Sequence, residues 1–600
     1  MNLRRNFACV MPVVLVGLLF NSSTSRPTQS QVTSFEVNTF AAAKADEMTR
    51  QLRDVRPVRP RALARPREAE PVRLLTIRRV RSRELSPRTE HPLFVQTVKG
   101  PAATTQLLSS FDGIGKDLPF LSLAGEVADK FRVRVGPPDT NGAVGESEYV
   151  QWVNTSFAVF DKKTGQLRYG PAEGRTIWQG FDGGACENTN DGDPIVQYDK
   201  INKRWILAQF AIRNKKDPTT GETYPGPPYT QCIAVSETSD ALGKYRRFSF
   251  TYDLFNDFPK MAVWSDGYYA TFNMFDDEGP AGPLVCAYDK DAMLGNVDRA
   301  ASQQCIQLPY RQERNGDTAI YFSLLPSDID GTSLPDKGTP NYLLSLDPNL
   351  ASIYLWSFHV DWNEPAKSTF AGPVTVKGVA PFDVPCSDRE RGDCIRQKGT
   401  RMMLESLSDR LSYRLAYRRL ADHEALVFNH IVAATGGAAA IRWYEMRGPF
   451  AQPTIYQSGT YAPDNNSRWI ASIAMDKQGN IGLGYTMSGA QVAPAIYFTG
   501  HRATDRKKGQ LERETLIVRG GSQTCLLPNG KCAPECSYRD DNGDAACYQG
   551  GAEGRWGDYS NLSIDPSDDC TMWYTTEYLK TTGGFNWSTR IARFKFKTCR

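Results

Sequence analysis

Beyond residue 100, apolar residues occur in short runs that alternate with clusters of turn-forming residues. The runs are rich in aromatic and β-branched residues, and the spacing of apolar positions that marks amphipathic helices is scarce. Short strands separated by turns at fairly even intervals are typical of β-sandwiches, barrels and propellers. The pattern therefore predicts an all-β fold.

One local pattern recurs along this part of the chain: an apolar run, a turn that begins with aspartate, and a second run rich in aromatics. Its clearest copies span 193–210, 257–272, 468–485 and 558–574, with turns that start at Asp199, Asp266, Asp476 and Asp565. An aspartate at the start of a turn accepts hydrogen bonds from its own backbone two residues on. Each copy therefore predicts a β-hairpin, and fainter copies bring the number to six or seven.

Repeated hairpins over this length fit a six- or seven-bladed β-propeller whose four-stranded blades carry loop insertions. Radial repetition also protects sheet edges without any help from helices. Two or three β-sandwich domains are the alternative architecture. Because a single hairpin pattern repeats, we favour the propeller and assign it to residues 101–600.

Five segments carry a resemblance to a known group of proteins. They are PPDTNGAVG (137–145), DGDPIVQYD (191–199), SDRLSYRLAYR (408–418), NSRWIASIAMD (466–476) and RWGDYSNLSIDP (555–566). In these segments the chain resembles exported bacterial β-propeller proteins that are distantly similar to the sialidase-like, BNR-repeat superfamily. The resemblance implies a sialidase-like propeller with disulfide-stapled loops. The strict Ser-x-Asp-x-Gly-x-Thr-Trp box of sialidases is absent, so their chemistry is not implied.

The first 100 residues differ in character from the rest of the chain. An apolar run over 7–20 follows two arginines and precedes small polar residues, which predicts a secretory signal peptide over 1–25. The run is short for a membrane anchor, the alternative interpretation. Residues 26–100 mix arginine and proline with few apolar positions, and predict a flexible linker or pro-segment. A basic arm that touches an anionic surface is the other interpretation.

The net charge of +4 arises in these first 100 residues, and residues 101–600 carry a net negative charge. A folded domain that binds nucleic acid would carry the positive charge itself. We therefore expect no nucleic-acid partner and, after signal removal, no membrane span.

The cysteine count predicts disulfides. Once Cys9 of the signal is set aside, 12 of the 13 cysteines remain, and an even number in an exported chain indicates pairing in the periplasm or the medium. Short spacings suggest Cys286–Cys305, Cys386–Cys394, Cys570–Cys599, two pairs among Cys525, Cys532, Cys536 and Cys547, and Cys186–Cys232. Spacing alone does not fix the connectivity.

Candidate chemistry lies where the hairpin copies begin, because the inner strands of a propeller border its central channel. Asp193, Asp558 and Tyr559 are the predicted catalytic residues, since paired carboxylates or a tyrosine beside a carboxylate can cleave a glycosidic bond. The predicted substrate-binding residues are Arg410, Arg468, Arg555 and Lys260, whose cations suit a carboxylate or sulfate. The alternative is that these residues cap turns and pair with one another to hold blades together.

Calcium is a further prediction. The segment 188–193 concentrates oxygen ligands around a glycine turn, which makes Asp191 and Asp193 candidate ligands of a structural Ca²⁺ ion. A surface turn held by its own side chains is the alternative.

Taken together, the patterns predict a secreted or periplasmic glycan-active hydrolase or lyase of sialidase-like architecture, with an extracellular glycan or cell-surface polymer as partner. A non-catalytic propeller that binds a glycan or a protein is the alternative, because propellers host both kinds of function. The sequence contains no phosphate-binding loop, HExxH motif or GxSxG elbow.

Overall fold

The computed structural model describes most of the chain beyond residue 93. The described residues are 33–34, 36–60, 67–68, 94–122, 125–133, 135–216, 223–314, 317–387, 392–448, 450–527, 529–539, 544–547 and 554–600. The predicted signal peptide lies outside them. Within them the α-helices are short, Ala185–Asn188 and Lys290–Leu294, and no helix is long and apolar enough to cross a membrane.

Seven sets of four antiparallel strands make up most of the described sheets, and we call them blades 1 to 7 in chain order. Blades 4 and 5 share one ten-stranded sheet, and a fifth strand extends each of blades 2 and 3. Blade 1 comprises Thr140–Val144, Glu148–Val153, Ser156–Asp161 and Leu167–Glu173. Blade 2 comprises Gly192–Asp199, Arg204–Ala211, Tyr229–Ser236 and Tyr245–Tyr252. Blade 3 comprises Phe255–Val263, Tyr268–Asp276, Gly279–Tyr288 and Ser302–Gln307. Blade 4 comprises Leu325–Ile329, Asn341–Asp347, Ser352–His359 and Thr369–Thr375.

The remaining blades follow the same plan. Blade 5 comprises Leu411–Arg419, Glu424–Ala433, Ala439–Arg447 and Ile455–Tyr461. Blade 6 comprises Ser467–Met475, Ile481–Gly489, Val492–His501 and Thr515–Arg519. Blade 7 comprises Asn561–Ile564, Met572–Leu579 and Trp587–Phe596, and its outer strand is Thr105–Asp112 from the start of the domain.

The first strands of the blades contact one another in a closed ring, in which blade 7 meets blade 1. Blade 7 combines the last strands of the chain with a strand from residues 105–112, so both ends of the domain are held in one sheet. The first strands of blades 4 and 5 also pair directly, in parallel, between 327–329 and 415–417. Radial closure of four-stranded sheets is the architecture of a β-propeller. The predicted all-β propeller fold is therefore confirmed.

The predicted hairpins are also confirmed, because each is the first strand pair of blade 2, 3, 6 or 7. Asp199, Asp476 and Asp565 each accept a hydrogen bond from the backbone N–H two residues on, as expected for aspartate at a turn. Asp266 differs, since its carboxylate accepts a hydrogen bond from the hydroxyl of Tyr269.

The apolar core lies within and between the blades, and large aromatic side chains fill it. Fully buried tryptophans lie in or directly beside every blade: Trp152, Trp205, Trp264, Trp356, Trp443, Trp469 and Trp573. At the seam between blades 1 and 7, the rings of Tyr149 and Trp573 stack with centroids 5.4 Å apart. Such contacts bind neighbouring blades where no backbone hydrogen bonds join them.

Six disulfides staple the loops, and every pair that the spacing suggested is present. They are Cys186–Cys232, Cys286–Cys305, Cys386–Cys394, Cys525–Cys536, Cys532–Cys547 and Cys570–Cys599. The structure also fixes the pairing that spacing left open within residues 525–547. Disulfides persist in oxidising compartments, so their number indicates a non-cytoplasmic protein.

Residues 36–60, which we call the N-terminal belt, run along the outside of the blades. Asn38–Ala41 pairs with the outer strand of blade 3, and Lys44–Glu47 pairs with that of blade 2. The belt then packs on blades 1 and 2, in a core cluster that contains its buried apolar residues Met48, Leu52 and Val55. Within the predicted linker or pro-segment of 26–100, the belt is thus paired with the blades and partly buried. The linker or pro-segment itself stays a prediction.

Leu52→Ala is expected to lower the free energy of unfolding by roughly 2–4 kcal/mol, because it leaves a cavity between the belt and the core of blades 1 and 2. Leu52 is 0% exposed, whereas Phe40 of the same belt is 53% exposed and makes Phe40→Ala the matched control. Denaturant titration of both variants measures the difference. Equal stabilities for the two variants would show that the belt does not dock in solution.

Candidate functional site

Charged and phenolic side chains meet at the entrance of the central channel, where the first strands begin. They come from blades 1, 2, 3 and 7 and from the segment that leads into blade 5, and their charges act on one another. We call this set the entrance cluster: Asp139, Asp193, Asp257, Lys260, Glu405, Asp409, Arg410, Arg555, Asp558, Tyr559 and Glu577.

The backbone beside the entrance has an unusual and recurrent conformation. In six blades a residue at or near the start of the first strand has a left-handed φ of 43–54°: Asp139, Asp193, Phe258, Ser323, Ile470 and Asp558. Residues other than glycine rarely adopt this conformation, and such strain concentrates at functional sites. In blades 2, 3 and 6 the same position coincides with a β-bulge, which redirects the side chains of a strand.

The pentapeptide of residues 555–559 brings three predicted residues together. Gly557 and Asp558 are consecutive left-handed residues, with φ of 73° and 54°, and only glycine takes such a φ freely. The carboxylate of Asp558 forms an ion pair with the guanidinium of Arg555. The residue after Asp558 is Tyr559, and the centroid of its ring lies 4.0 Å from the ammonium of Lys260. This segment therefore supplies an acid, a cation and a phenol to one site.

Lys260 lies inside the cluster and is 1% exposed. Its ammonium lies over two aromatic rings, 3.5 Å from the centroid of Phe258 and 4.0 Å from that of Tyr559. Burial lowers the pKa of Lys260 to about 8, with Asp193 opposing the shift and Arg410 reinforcing it. Lys260 therefore gives up its proton at a lower pH than an ordinary lysine does.

Glu405 is a member of the cluster that the sequence analysis missed. Its Oε2 lies 3.6 Å from Nε of Arg555. Burial raises the pKa of Glu405 to about 8, which Arg555 opposes and Asp558 reinforces. Burial also raises the pKa of Glu577 well above its usual range. No hairpin or turn motif marks Glu405, and its only sequence signal is its place five residues before Arg410.

Arg410, Asp409 and Glu405 form the accessible side of the cluster. The side chains of Arg410 and Asp409 are 19% and 23% exposed, against 4% and 5% for Arg555 and Asp558. The guanidinium of Arg410 lies over the ring of Phe258 at 4.7 Å and donates to Asp409 over 2.9 Å. A ligand that enters from this side therefore meets a cation first.

Polar side chains fill the channel beneath the cluster. Arg414 of blade 5 donates to Asp328 and Asp330 of blade 4 over 2.9 and 2.7 Å, and to the carbonyl of Leu562 in blade 7 over 3.1 Å. Gln197 of blade 2 donates to the hydroxyl of Tyr413 over 2.7 Å. Blades 5 and 7 are not neighbours in the ring, so the side chain of Arg414 reaches across the space that the first strands enclose.

Arg468, a predicted substrate-binding residue, is not part of this cluster. Its guanidinium donates to Glu514 over 2.9 and 2.7 Å and to Asp464 over 2.9 Å. The side chain is fully buried within blade 6 and the segment before it. For Arg468 the structure therefore favours the alternative, an ion pair that holds its own blade.

Arg468→Met is expected to lower the free energy of unfolding by roughly 3 kcal/mol, because it leaves the buried carboxylate of Glu514 without its cation. Ligand binding at the channel entrance is expected to stay unchanged. Thermal unfolding measures the loss, and Arg502→Met, which removes an exposed ion pair with Asp505, is its control. An Arg468→Met protein of wild-type stability would contradict this assignment.

The two calcium candidates have distinct surroundings. The carboxylate of Asp191 accepts a hydrogen bond from the backbone N–H of Ile212 over 2.7 Å. Asp193 belongs to the entrance cluster, where its charge acts on Lys260. Among the residues that the structure describes, no three His, Cys, Asp or Glu side chains are arranged to hold a metal ion. Calcium at Asp191 and Asp193 stays a prediction.

No protein-family model and no curated protein matches this chain in sequence. Solved structures of low similarity include an ulvan lyase bound to a GlcA(1-4)Rha3S saccharide, at 11% identity and a TM-score of 0.27, covering 69% of this chain and 96% of the lyase. A thermostable family-43 glycoside hydrolase has 11% identity and a TM-score of 0.26, covering 55% and 94%. A subtype N10 neuraminidase-like protein of A/little yellow-shouldered bat/Guatemala/060/2010 has 8% identity and a TM-score of 0.31, covering 66% of this chain and 99% of that protein.

Proposed function

We propose that the entrance cluster is the active site of a glycan-cleaving enzyme, a hydrolase or lyase that acts on an anionic polysaccharide. The observation that carries the proposal is a pair of carboxyl groups, Glu405 and Asp558, that both form ion pairs with the Arg555 guanidinium. Cleavage of a glycosidic bond requires one carboxyl group that donates a proton and a second group in another protonation state.

The environment of each group suggests its role. Glu405, with its pKa raised to about 8 by burial, keeps a proton near neutral pH and serves as the donor to the leaving oxygen. Asp558 is ion-paired with Arg555 and serves as the charged partner. Arg410, at the accessible side, suits a carboxylate or sulfate on the substrate because a guanidinium binds such groups through two parallel hydrogen bonds.

Lys260 supports the lyase form of the reaction. A lyase removes the proton next to a uronate carboxyl group, and an amine can accept that proton only when it is itself unprotonated. Burial lowers the pKa of Lys260 to about 8, so a usable fraction is neutral in mildly alkaline solution.

A non-catalytic glycan-binding propeller is the second candidate. The observation in its favour is the burial of the residues that the sequence predicted as catalytic. Asp193, Asp558 and Tyr559 are 3%, 8% and 3% exposed, as expected for groups that lock blades together.

Incubation of the full chain with neutral and anionic polysaccharides tests the proposal. New reducing ends report cleavage by either reaction, and unsaturated sugar products report the lyase alone. Product from at least one uronate or sulfate-bearing polymer is expected, with none from neutral arabinan or dextran. Binding of an anionic polymer without any product would favour the second candidate, and neither binding nor product would contradict both.

A further inference from the structure

A groove of about 870 Å³ lies between two loops that disulfides staple. One wall is formed by residues 396–403, which follow Cys386–Cys394, and the other by residues 524–527, which include one end of Cys525–Cys536. A volume of this size is typical of pockets that bury a bound ligand. The staples restrict both walls, so the groove is largely preformed.

The charged residues described in the walls of the groove are all basic. Arg396 and Arg401 both line the groove and are exposed, and none of its described lining residues is acidic. Apolar side chains make up much of the remaining surface: Met402, Met403, Leu526 and Leu527. Cations beside an apolar surface suit a ligand that carries negative groups on a flat, partly apolar frame.

The same two loops lead directly to the entrance cluster. Gln397 and Gln523 join the walls, since the backbone N–H of Gln523 donates to Gln397 Oε1 over 2.7 Å and Gln397 Nε2 donates to the Gln523 carbonyl over 3.1 Å. Gln523 Nε2 then donates to the carbonyl of Arg555 over 2.9 Å. On the other wall the chain continues from Met403 to Glu405, whose N–H donates to the Gly554 carbonyl over 2.8 Å.

We propose that this groove binds the length of an anionic polysaccharide that extends beyond the cleaved bond, an inference that rests on the proposed function. Arg396 and Arg401 bind carboxylate or sulfate groups of successive sugars, while Met402 and Leu526 contact the apolar faces of their rings. One wall continues to Glu405 and the other is hydrogen-bonded to Arg555 through Gln523. A polysaccharide held in the groove is therefore directed towards Glu405 and Asp558.

Affinity electrophoresis of the full chain through gels that contain dextran sulfate or neutral dextran tests the groove without any need for turnover. Dextran sulfate is expected to retard the wild-type protein and dextran is not. The double variant Arg396→Gln/Arg401→Gln is expected to bind dextran sulfate roughly tenfold more weakly. Lys398→Gln is the matched control, because Lys398 is an exposed cation of the same loop that does not line the groove. It is expected to bind within about twofold of wild type.

Equal retardation of the double variant and the wild type would overturn the groove assignment, as would a wild type that dextran sulfate does not retard. If single-stranded DNA retards the wild type, and the double variant loses this retardation as fully as it loses that by dextran sulfate, the groove would be assigned to nucleic acid instead. If the double variant loses binding while the wild type cleaves no polysaccharide, the groove stands and the proposed function falls.

Discussion

Glu405→Gln is expected to reduce the rate of glycan cleavage roughly a thousandfold, because a glutamine amide cannot donate the proton that the leaving oxygen requires. The substitution keeps the shape of the side chain and the neutral state that burial favours at this position. The fold and the affinity for polysaccharide are therefore expected to persist. Initial rates on a cleaved polymer, compared at equal protein concentration, measure the loss.

The control for this experiment is Asp336→Asn, which removes an exposed ion pair with Arg419 on the protein surface. It is expected to retain the full rate. Glu405→Gln with more than a tenth of the wild-type rate, in a protein that melts as the wild type does, would remove Glu405 from the donor role. Roughly a tenth is the threshold because general acid catalysis contributes at least about a hundredfold.

The pH profile gives an independent test of the same carboxyl group. With its pKa raised to about 8, Glu405 loses its proton as the pH rises through about 8. The rate of glycan cleavage is expected to fall over the same pH range. The folded state also holds this proton more tightly than the unfolded chain. The stabilisation is complete below the ordinary glutamate pKa of about 4.5 and disappears as the pH rises through about 8. Glu405→Gln is expected to abolish both the alkaline loss of rate and this part of the alkaline loss of stability.

Local chemistry explains which features the sequence could predict. The hairpins follow from alternating strands and from aspartates such as Asp199 and Asp476, whose carboxylates bond backbone only two residues away. Most of the disulfides could be suggested because five of the six join cysteines at most 29 residues apart. The pairing among Cys525, Cys532, Cys536 and Cys547 could not, since all four lie close together along the chain and spacing does not choose between them.

Contacts between distant segments explain the rest. Arg468 resembles the other candidate arginines in sequence, but Glu514, 46 residues away, binds it within blade 6. Glu405 becomes a candidate acid only because Arg555 and Asp558 lie beside it in space. The docking of the belt was not predicted, because Leu52 shares its core cluster with residues of blades 1 and 2 that are distant in the sequence. These pairings depend on closure of the ring, which no local motif specifies.

Arg414→Met is expected to lower the free energy of unfolding by roughly 3–5 kcal/mol, more than the loss of Arg468 or Leu52. The guanidinium is 2% exposed and binds Asp328 and Asp330, themselves 5% and 0% exposed. Burial alone would raise the pKa of Asp330, yet Arg414 and then Lys200 lower it to about 2. Without Arg414, Asp328 and Asp330 lose the guanidinium that binds both of them, and Lys200, 3.3 Å from Asp330, is left to balance two buried carboxylates.

The pH dependence of this variant follows from the same charges. In the wild type, Asp330 stabilises the fold above the ordinary aspartate pKa of about 3.8, and the stabilisation is lost as the pH falls through about 2. Arg414→Met removes the stabilisation at neutral pH, and adding Asp330→Asn is expected to recover part of it by removing one buried charge. Denaturant titration at neutral pH measures all three proteins, with Arg419→Met, an exposed arginine, as the control. If Arg414→Met costs no more than this control, the channel is not held by the ion pairs at its centre.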